Sequence, residues 1–266
     1  MMRRRPAAAG FVLSCLLAGD AARSAQAPTP AAGTLVWHDE FDVRGLPNPE
    51  RWASEVGLVR NNERQYYTQA RPQNARLEDG MLVIEAHKEP YQGAAYTSAS
   101  MTSRASWSYG CFEVRAKLPK GRGTWPAIWM LGTNIGEVGW PQCGEIDIME
   151  HVGFDPGRIH ANIHTAAYNH VQRTNKGNSL LVTRPDEEFH VYELVWTPSR
   201  ISALVDGQRY FTFAKAPGGD AVWPFDKPHY LILNLAIGGS WGGQQGIDDA
   251  AFPARFLVDY VRVYRR

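Results

Sequence analysis

The sequence has 266 residues, of which 44% are hydrophobic and 21% charged, and its formal net charge is +1. This is a globular composition, and the balanced charge excludes a strong electrostatic attraction to nucleic acid or to an anionic membrane surface. Nine Trp, eleven Tyr and ten Phe indicate either a β-rich core or a cleft in which sugar rings stack on aromatic faces, and composition alone leaves both open.

The N-terminal segment has the three parts of a secretory signal peptide. Three arginines at residues 3–5 precede an apolar run over residues 7–19, and the small-x-small sequence Ala25-Gln26-Ala27 follows. The apolar run is too short for a stable transmembrane anchor. We therefore predict a signal peptide over residues 1–27 and a secreted or periplasmic mature protein that is not held in the membrane. Cys15 offers a lipoprotein alternative, although Leu13 fits a lipobox poorly.

Short runs with period-two alternation, separated by Gly and Pro, occupy most of the remaining chain. In FEVRAKL (112–118), apolar residues alternate with charged ones, as in a strand with one buried face. ISALV and QRYFTF flank Asp206-Gly207, which predicts a hairpin because both turn positions accept positive φ. Similar runs are MLVIEA (81–86), HVYELVW (190–196) and FLVDYVRVY (256–264). We predict one all-β domain over residues 28–266, a β-sandwich or jelly roll.

The segment GEIDIME (144–150) places Glu145, Asp147 and Glu150 among apolar residues. In a regular strand the first two acids share a face, whereas Glu150 points to the other face. A β-bulge at Ile148-Met149 would turn Glu150 back to the face of the other acids. The Cα atoms of Glu145 and Glu150 would then lie about 13 Å apart. Their side chains would bring the carboxyl groups to about 5 Å, the separation found in retaining glycosidases.

A solvated, charged strand face is the alternative interpretation of these acids. It is disfavoured because like charges along one face repel each other, and because the apolar residues of the opposite face indicate a half-buried, central strand. Three crowded carboxyls raise the pKa of at least one of them. The segment thus supplies a protonated acid beside an ionised nucleophile, the pair that cleavage of a glycoside requires.

With its flanking motifs, this segment resembles glycoside hydrolase family 16, and within it the laminarinase-type branch of endo-β-1,3-glucanases, whose motif has the extra residue that Met149 supplies. The resemblance covers nearly all of residues 34–266, through WHDEFD, NNERQYYT, LVIEA, SYGCFEVRAKLP, GRGTWPAIWMLG, RIHANIHT, NLAIGGSWGG and VDYVRVY. It implies a concanavalin-A-like jelly roll of two curved antiparallel sheets with a substrate cleft on the concave face. We also expect a monomer that needs no cofactor for catalysis.

The resemblance assigns a role to each acid. Glu145 is implied to be the nucleophile that attacks the anomeric carbon, and Glu150 the acid that protonates the leaving oxygen and then the base that activates water. Asp147 is implied to hold the proton distribution and to orient the nucleophile. A covalent glycosyl-enzyme follows from this arrangement.

Aromatic and polar residues near the acids are predicted to contact the sugar chain. Trp125 and Trp129 would share one face of an extended strand, about 13 Å apart, where they suit sugar rings near the cleavage point; a core pair is the alternative. Trp140 is expected to cap the groove, and Trp241, on a Gly-rich loop, to form another subsite. The resemblance implies that His164 is a histidine near the acid/base residue. It also implies that Asn61 and Arg104 hydrogen-bond sugar hydroxyls on the donor side.

A structural calcium ion is also implied by the resemblance. Its ligands would be the backbones of Glu40 and Gly80 and the side chain of Asp259, and hard oxygen donors suit this ion. Export permits a disulfide between Cys111 and Cys143. Two cysteines in a chain of this length are equally consistent with buried thiols, which we favour.

We therefore expect a secreted, retaining endo-β-1,3-glucanase that acts on laminarin-like and mixed-linkage β-glucans. One alternative is a family 16 hydrolase or transglycosylase for another β-linked polysaccharide, such as a galactan, because loops set specificity in such folds. The intact WPAIWM and the lack of an obvious basic cluster near the acids favour a neutral glucan. Another alternative is a non-catalytic carbohydrate-binding module, which has no reason to keep three acids at this spacing.

Overall fold

The computed structural model describes residues 33–265, and the regular structure in this range is mainly β-strand. The helical elements of this range are short: α1 (Ile135–Val138) and two 3-10 turns, Gly219–Ala221 and Asp249–Ala251. None of these helices has the length and apolar character needed to cross a bilayer. The predicted all-β class is confirmed, whereas the predicted signal peptide, with Cys15, lies outside the described residues.

One sheet has seven strands, and every neighbouring pair in it is antiparallel. The acidic segment forms its third strand, with a neighbour on each side, so the predicted central position is confirmed. In spatial order the strands are β12 (Lys176–Leu181), β11 (Arg158–His164), β10 (Glu145–Glu150), β9 (Thr124–Gly132), β16 (His229–Ile237), β7 (Ser100–Trp107) and β2 (Trp52–Ser54).

The second sheet has ten strands. Its main path runs through β15 (Gln208–Ala214), β14 (Arg200–Val205), β13 (His190–Thr197), β8 (Gly110–Lys117), β17 (Ala254–Arg265), β5 (Met81–Tyr91), β6 (Ala94–Ser98) and β3 (Gln65–Tyr67). Beside this path, β1 (Thr34–Asp39) pairs with β17 and β4 (Ala75–Glu78) pairs with β5. The pair β3–β6 is parallel, which corrects the expectation of purely antiparallel sheets.

The core lies between the two sheets. Apolar side chains of β8, such as Phe112 and Val114, and of β10, such as Ile146 and Ile148, belong to one buried cluster. The alternation in FEVRAKL therefore gives one face of a strand to the core, as predicted. Burial of this apolar surface is the main force that holds the sheets together, and it fixes which face of β10 remains for the acids.

The predicted hairpin is formed by β14 and β15. Val205 pairs with Gln208 across the turn, and Asp206 and Gly207 have φ of 49° and 78°. Two consecutive positive φ values match the twist of the flanking strands. The Asp-Gly prediction is confirmed.

Candidate active site

The strand β10 contains one irregularity, between Asp147 and Glu150. Consecutive residues of β9 pair with Asp147 and with Met149, so Ile148 is the extra residue. The pairing with β11 shifts within the same interval. Ile146, Ile148 and Met149 are all buried in the core, whereas the three carboxyls line the opposite face. The bulge predicted at Ile148-Met149 is confirmed.

The carboxyls face a cavity of about 880 Å³. Alternate residues of the neighbouring strands line it; on β11, for example, His160, Asn162 and His164 line the cavity, and the residues between them are buried in the core. Loop residues, among them Trp140 and Trp241, complete the walls. A cleft with carboxyls at its base and indole rings at its sides is suited to a sugar chain.

Glu145 is the most accessible of the three acids, with 15% of its side chain exposed. The indole Nε1 of Trp140 donates to its Oε2 at 2.7 Å, and Nε2 of His164 lies 3.6 Å from its Oε1. Burial, and next the neighbouring charge of Asp147, raise the pKa of Glu145 to about 8, against the opposing effect of His164 and Trp140. Trp140 and His164 therefore favour the ionised form of Glu145, whereas burial and the charge of Asp147 oppose it.

Asp147 is buried between the two glutamates, with 3% of its surface exposed. Nε2 of His164 lies 3.3 Å from its Oδ2. Burial, and next the charge of Glu150, hold the pKa of Asp147 well above its usual range. Burial and the neighbouring charge therefore favour the protonated form of Asp147.

Glu150 is held in place by two donors. Trp125 Nε1 donates to its Oε1 at 3.1 Å, and Asn162 Nδ2 donates to its Oε2 at 3.2 Å. Ala127 pairs with Glu150 on β9, and its small side chain leaves space for the carboxyl and the indole. Burial raises the pKa of Glu150, which favours the protonated form that can donate to a leaving group.

His164 is the residue that contacts both Glu145 and Asp147. The ligand atoms of these three side chains all lie within 4.8 Å of one another, close enough to hold a metal ion. Because burial raises the pKa of both carboxyls, protons compete with a cation at this position. We therefore attribute the cluster to proton chemistry.

The four tryptophans predicted at the cleft all line the cavity. Trp241 packs edge-on against Trp125, with ring centroids 5.6 Å apart, and Trp140 lies over His164 at 5.9 Å. Trp129 differs from them, because the guanidinium of Arg60 lies 4.9 Å from the centroid of its ring. The indole face of Trp129 is thus shared with a cation, and 7% of the residue is exposed.

Asn61 and Arg104, predicted to contact the donor side, have different positions. Asn61 lines the cavity, with φ of 56°. Arg104 does not line it: its Nε donates to the carbonyl of Pro49 at 2.5 Å, and its backbone N–H donates to the carbonyl of Arg51. Asn61 therefore lines the same cavity as the acids, whereas Arg104 does not.

Several cavity residues were not predicted from the sequence. Asn162 and His160 follow from the period of two that starts at His164, so strand parity was a usable signal. Arg60 and Glu63 flank Asn61 in the same motif. Asn234, on β16, has no local signal, because its relation to the acids depends on which strands are neighbours.

The residues expected to bind calcium lie in and around the ten-stranded sheet, away from β10. Asp259 is the extra residue where the pairing of β17 with β8 shifts, and its Oδ2 accepts from Arg115 Nη1 at 2.6 Å. Gly80 is in the turn between β4 and β5, with φ of 70°, and the side chain of Glu40 pairs with Arg262. Carboxylate and backbone oxygens fit Ca²⁺ chemically.

Cys111 and Cys143 are both buried, and they do not form a disulfide with each other. They lie in different parts of the sandwich, Cys111 on β8 and Cys143 just before β10. Burial raises the pKa of Cys143 to about 11. The thiols favoured from the sequence are confirmed.

Comparison with known proteins gives consistent matches. The family model described as glycosyl hydrolases family 16 matches residues 62–262. The chain is 51% identical to a β-glucanase of Rhodothermus marinus, over all of this chain and 95% of that protein. The X-ray structure of the laminarinase from Rhodothermus marinus superposes with a TM-score of 0.85 at 52% identity, covering 88% of this chain and 97% of that one. A keratan-sulfate endo-1,4-β-galactosidase of Sphingobacterium multivorum is 38% identical, over 87% of this chain and 55% of that protein.

Proposed function

The chain belongs to glycoside hydrolase family 16, and from this premise we propose that its cleft hydrolyses β-1,3-glucosidic bonds in laminarin-like and mixed-linkage β-glucans. The observation that carries the proposal is the bulge at Ile148, which keeps Glu145, Asp147 and Glu150 on the cavity face. The relatives named β-glucanase and laminarinase support the choice of substrate. The jelly roll is common to this chain and those structures.

The reaction proceeds in two steps. In the first, an oxygen of Glu145 attacks the anomeric carbon, the glycosidic bond breaks, and the proton of Glu150 moves to the leaving oxygen. In the second, Glu150 takes a proton from water, and the water oxygen replaces Glu145 at the anomeric carbon. Two inversions retain the β configuration. Trp140 and His164 support ionised Glu145, while burial supports protonated Glu150.

The test is digestion of laminarin, lichenan, agarose and carrageenan, with NMR detection of the first anomer released. We expect β-anomeric products from laminarin and lichenan. Glu145→Ala and Glu150→Ala should each reduce kcat by roughly 10³-fold or more while thermal unfolding shows a folded protein. Exposed Glu137, on α1, provides the control Glu137→Ala, which should retain activity. Initial α-anomeric products, or full activity in either active-site variant, would contradict the assignment.

A galactan is the second candidate substrate, because the relative named keratan-sulfate endo-1,4-β-galactosidase is 38% identical to this chain over 242 aligned residues. A sulfated substrate needs cations in the cleft. Among the described residues that line the cavity, Arg60 is the one arginine or lysine, and it is already ion-paired with Glu55. A neutral β-glucan therefore fits better, and the agarose and carrageenan digests test the rival.

We further propose that the protein is exported and acts as a monomer. The sequence of residues 1–27 supports export, since it has the features of a signal peptide. We also propose a structural calcium ion held by Glu40, Gly80 and Asp259; an ion in that position would cross-link loops and strands and would take no part in bond cleavage.

A further inference from the structure

Trp129 is connected to a buried carboxylate by a chain of hydrogen bonds. Its indole Nε1 donates to Asn234 Oδ1 at 2.7 Å. Asn234 Nδ2 donates to the hydroxyl of Tyr67 at 3.0 Å, and that hydroxyl donates to Glu63 Oε2 at 3.2 Å. The chain joins β9, β16, β3 and the loop before β3, so it links both sheets beneath one side of the cavity.

The direction of every bond in this chain is fixed by chemistry. An indole N–H can only donate, so Asn234 presents its oxygen to Trp129 and its amide protons to Tyr67. The Tyr67 hydroxyl, having accepted, donates its own proton to Glu63. The far end of the chain must therefore be an acceptor, and an ionised carboxylate is the side chain that only accepts.

A second chain reaches the same carboxylate. The backbone N–H of Ile237 donates to Gln65 Oε1 at 2.7 Å, which turns Gln65 Nε2 toward Glu63 Oε2, also at 2.7 Å. Asn61 Nδ2 donates to Glu63 Oε1 at 3.2 Å. Glu63 thus accepts from three side chains while only 8% of it is exposed. Burial raises the pKa of Glu63, and these donors and Arg60 oppose that rise.

We infer that Glu63 is a positioning residue that orients Trp129, through Asn234 and Tyr67, together with Asn61, and thereby shapes the sugar-binding wall beside the acids. The inference rests on the proposed function, since it assigns the two oriented side chains to the polysaccharide. Both line the cavity, and they come from elements far apart in sequence. One buried carboxylate sets the geometry of both, because a misdirected amide or hydroxyl would leave a buried donor unpaired.

Tyr67→Phe is the sharpest test, because it removes one hydroxyl and leaves the ring. Its matched control is Tyr192→Phe: Tyr192 is also fully buried, on β13, and its hydroxyl has no hydrogen-bond partner among the described residues. We expect Tyr67→Phe to lower kcat/KM on laminarin about tenfold, mainly through KM, because both buried hydrogen bonds of this hydroxyl are lost. Tyr192→Phe should stay within about twofold of wild type, since it loses no such bond.

A double-mutant cycle tests the route through Trp129. Trp129→Phe has no indole N–H, so adding Tyr67→Phe to it should cause little further loss of kcat/KM. In Glu63→Gln, a single amide oxygen faces the donors of Asn61, Gln65 and Tyr67, which the two carboxylate oxygens of Glu63 accept in the wild type. This variant should therefore lose at least as much activity as Tyr67→Phe. If Tyr67→Phe does not fold, as judged by thermal unfolding, the cycle is carried out with Glu63→Gln and Trp129→Phe.

The outcomes separate the two proposals. The role of Glu63 would be overturned if Tyr67→Phe and Tyr192→Phe both had the same kcat/KM as an active wild type. Fully additive effects in the cycle would overturn it as well. Either result would leave the proposed function intact. A wild-type protein that hydrolyses none of the four polysaccharides would overturn the proposed function itself.

Discussion

Each acid of β10 has its own set of neighbours, although burial acts on all three. Trp140 donates to Glu145, whereas Trp125 and Asn162 donate to Glu150. Asp147 has another carboxyl and His164 beside it. Burial raises the pKa of every member of the group, so a change at one acid alters the ionisation of the others.

Asp147→Asn should move the acidic limb of the kcat/KM profile to lower pH. The charge of Asp147 helps to raise the pKa of Glu145 from 4.5 to about 8, and its removal favours ionised Glu145. The pKa of Glu145 therefore falls, by on the order of one pH unit. Steady-state kinetics on laminarin across the pH range measure the shift.

Asp155→Asn is the control for this prediction. Asp155 lies near the cavity residue His160 but is not among the groups that shift the pKa of Glu145. Its profile should match that of wild type. An acidic limb that stays in place in Asp147→Asn, or moves to higher pH, would show that Asp147 does not raise the pKa of the nucleophile.

At the scale of the element, β10 combines a buried face with a face of acids. The bulge gives the core two consecutive residues, Ile148 and Met149, and returns Glu150 to the cavity. Side chains of a strand alternate with period two. The number of residues between Asp147 and Glu150, and the bulge among them, thus decide on which side of the sheet the third acid lies.

Insertion and deletion at the bulge should have opposite consequences for activity. One Ala inserted between Asp147 and Ile148 turns Glu150 toward the core and should reduce kcat by roughly 10³-fold or more, since the proton donor is lost. Deletion of Ile148 leaves E-I-D-M-E, in which all acids still share a face. That variant should retain hydrolysis but unfold at lower temperature, because fully buried Ile148 is lost.

Both variants are compared by laminarin hydrolysis and thermal unfolding. An active insertion variant would mean that parity does not place the third acid. A folded but inactive deletion variant would mean that the bulge itself, and not the shared face, is needed for the chemistry.

At the scale of the whole molecule, the two sheets contribute differently to the site and to the core. The seven-stranded sheet carries the acids and the cavity, whereas the ten-stranded sheet closes the core from the other side. The proposed calcium ligand Asp259 is on β17 of the ten-stranded sheet. An ion there would stabilise the sandwich without touching the substrate.

Removal of calcium should therefore lower Tm and leave kcat below Tm unchanged. An ion present at about 100 times its Kd stabilises the fold by about 2.7 kcal/mol, which corresponds to a Tm shift of roughly 5–10 °C for a domain of this size. Scanning calorimetry with EDTA and with excess Ca²⁺ measures the shift. Asp259→Asn should abolish it, whereas Asp226→Asn, which breaks a surface ion pair with Lys215, should not. An unchanged Tm with EDTA would remove the proposed ion.

The sequence by itself determined the features that depend on local order. Alternation predicted the strands and their buried faces, Asp206-Gly207 predicted a hairpin, and the odd spacing in GEIDIME predicted the bulge. These patterns are readable because the period of a strand and the φ of a turn are properties of neighbouring residues. The family motif likewise placed Asn61 at the cleft, and the position of Trp140 just before the acids placed it there as well.

Only the tertiary structure decided which distant residues meet. The parallel pair β3–β6, the position of Arg104 outside the cavity, and Arg60 over Trp129 had no local signal. The bonds from Trp129 to Asn234 and on to Tyr67 span 105 and 167 residues. Such contacts depend on strand order and on the packing of one sheet against the other, because hydrogen bonds and stacking act over a few ångströms whatever the distance along the chain.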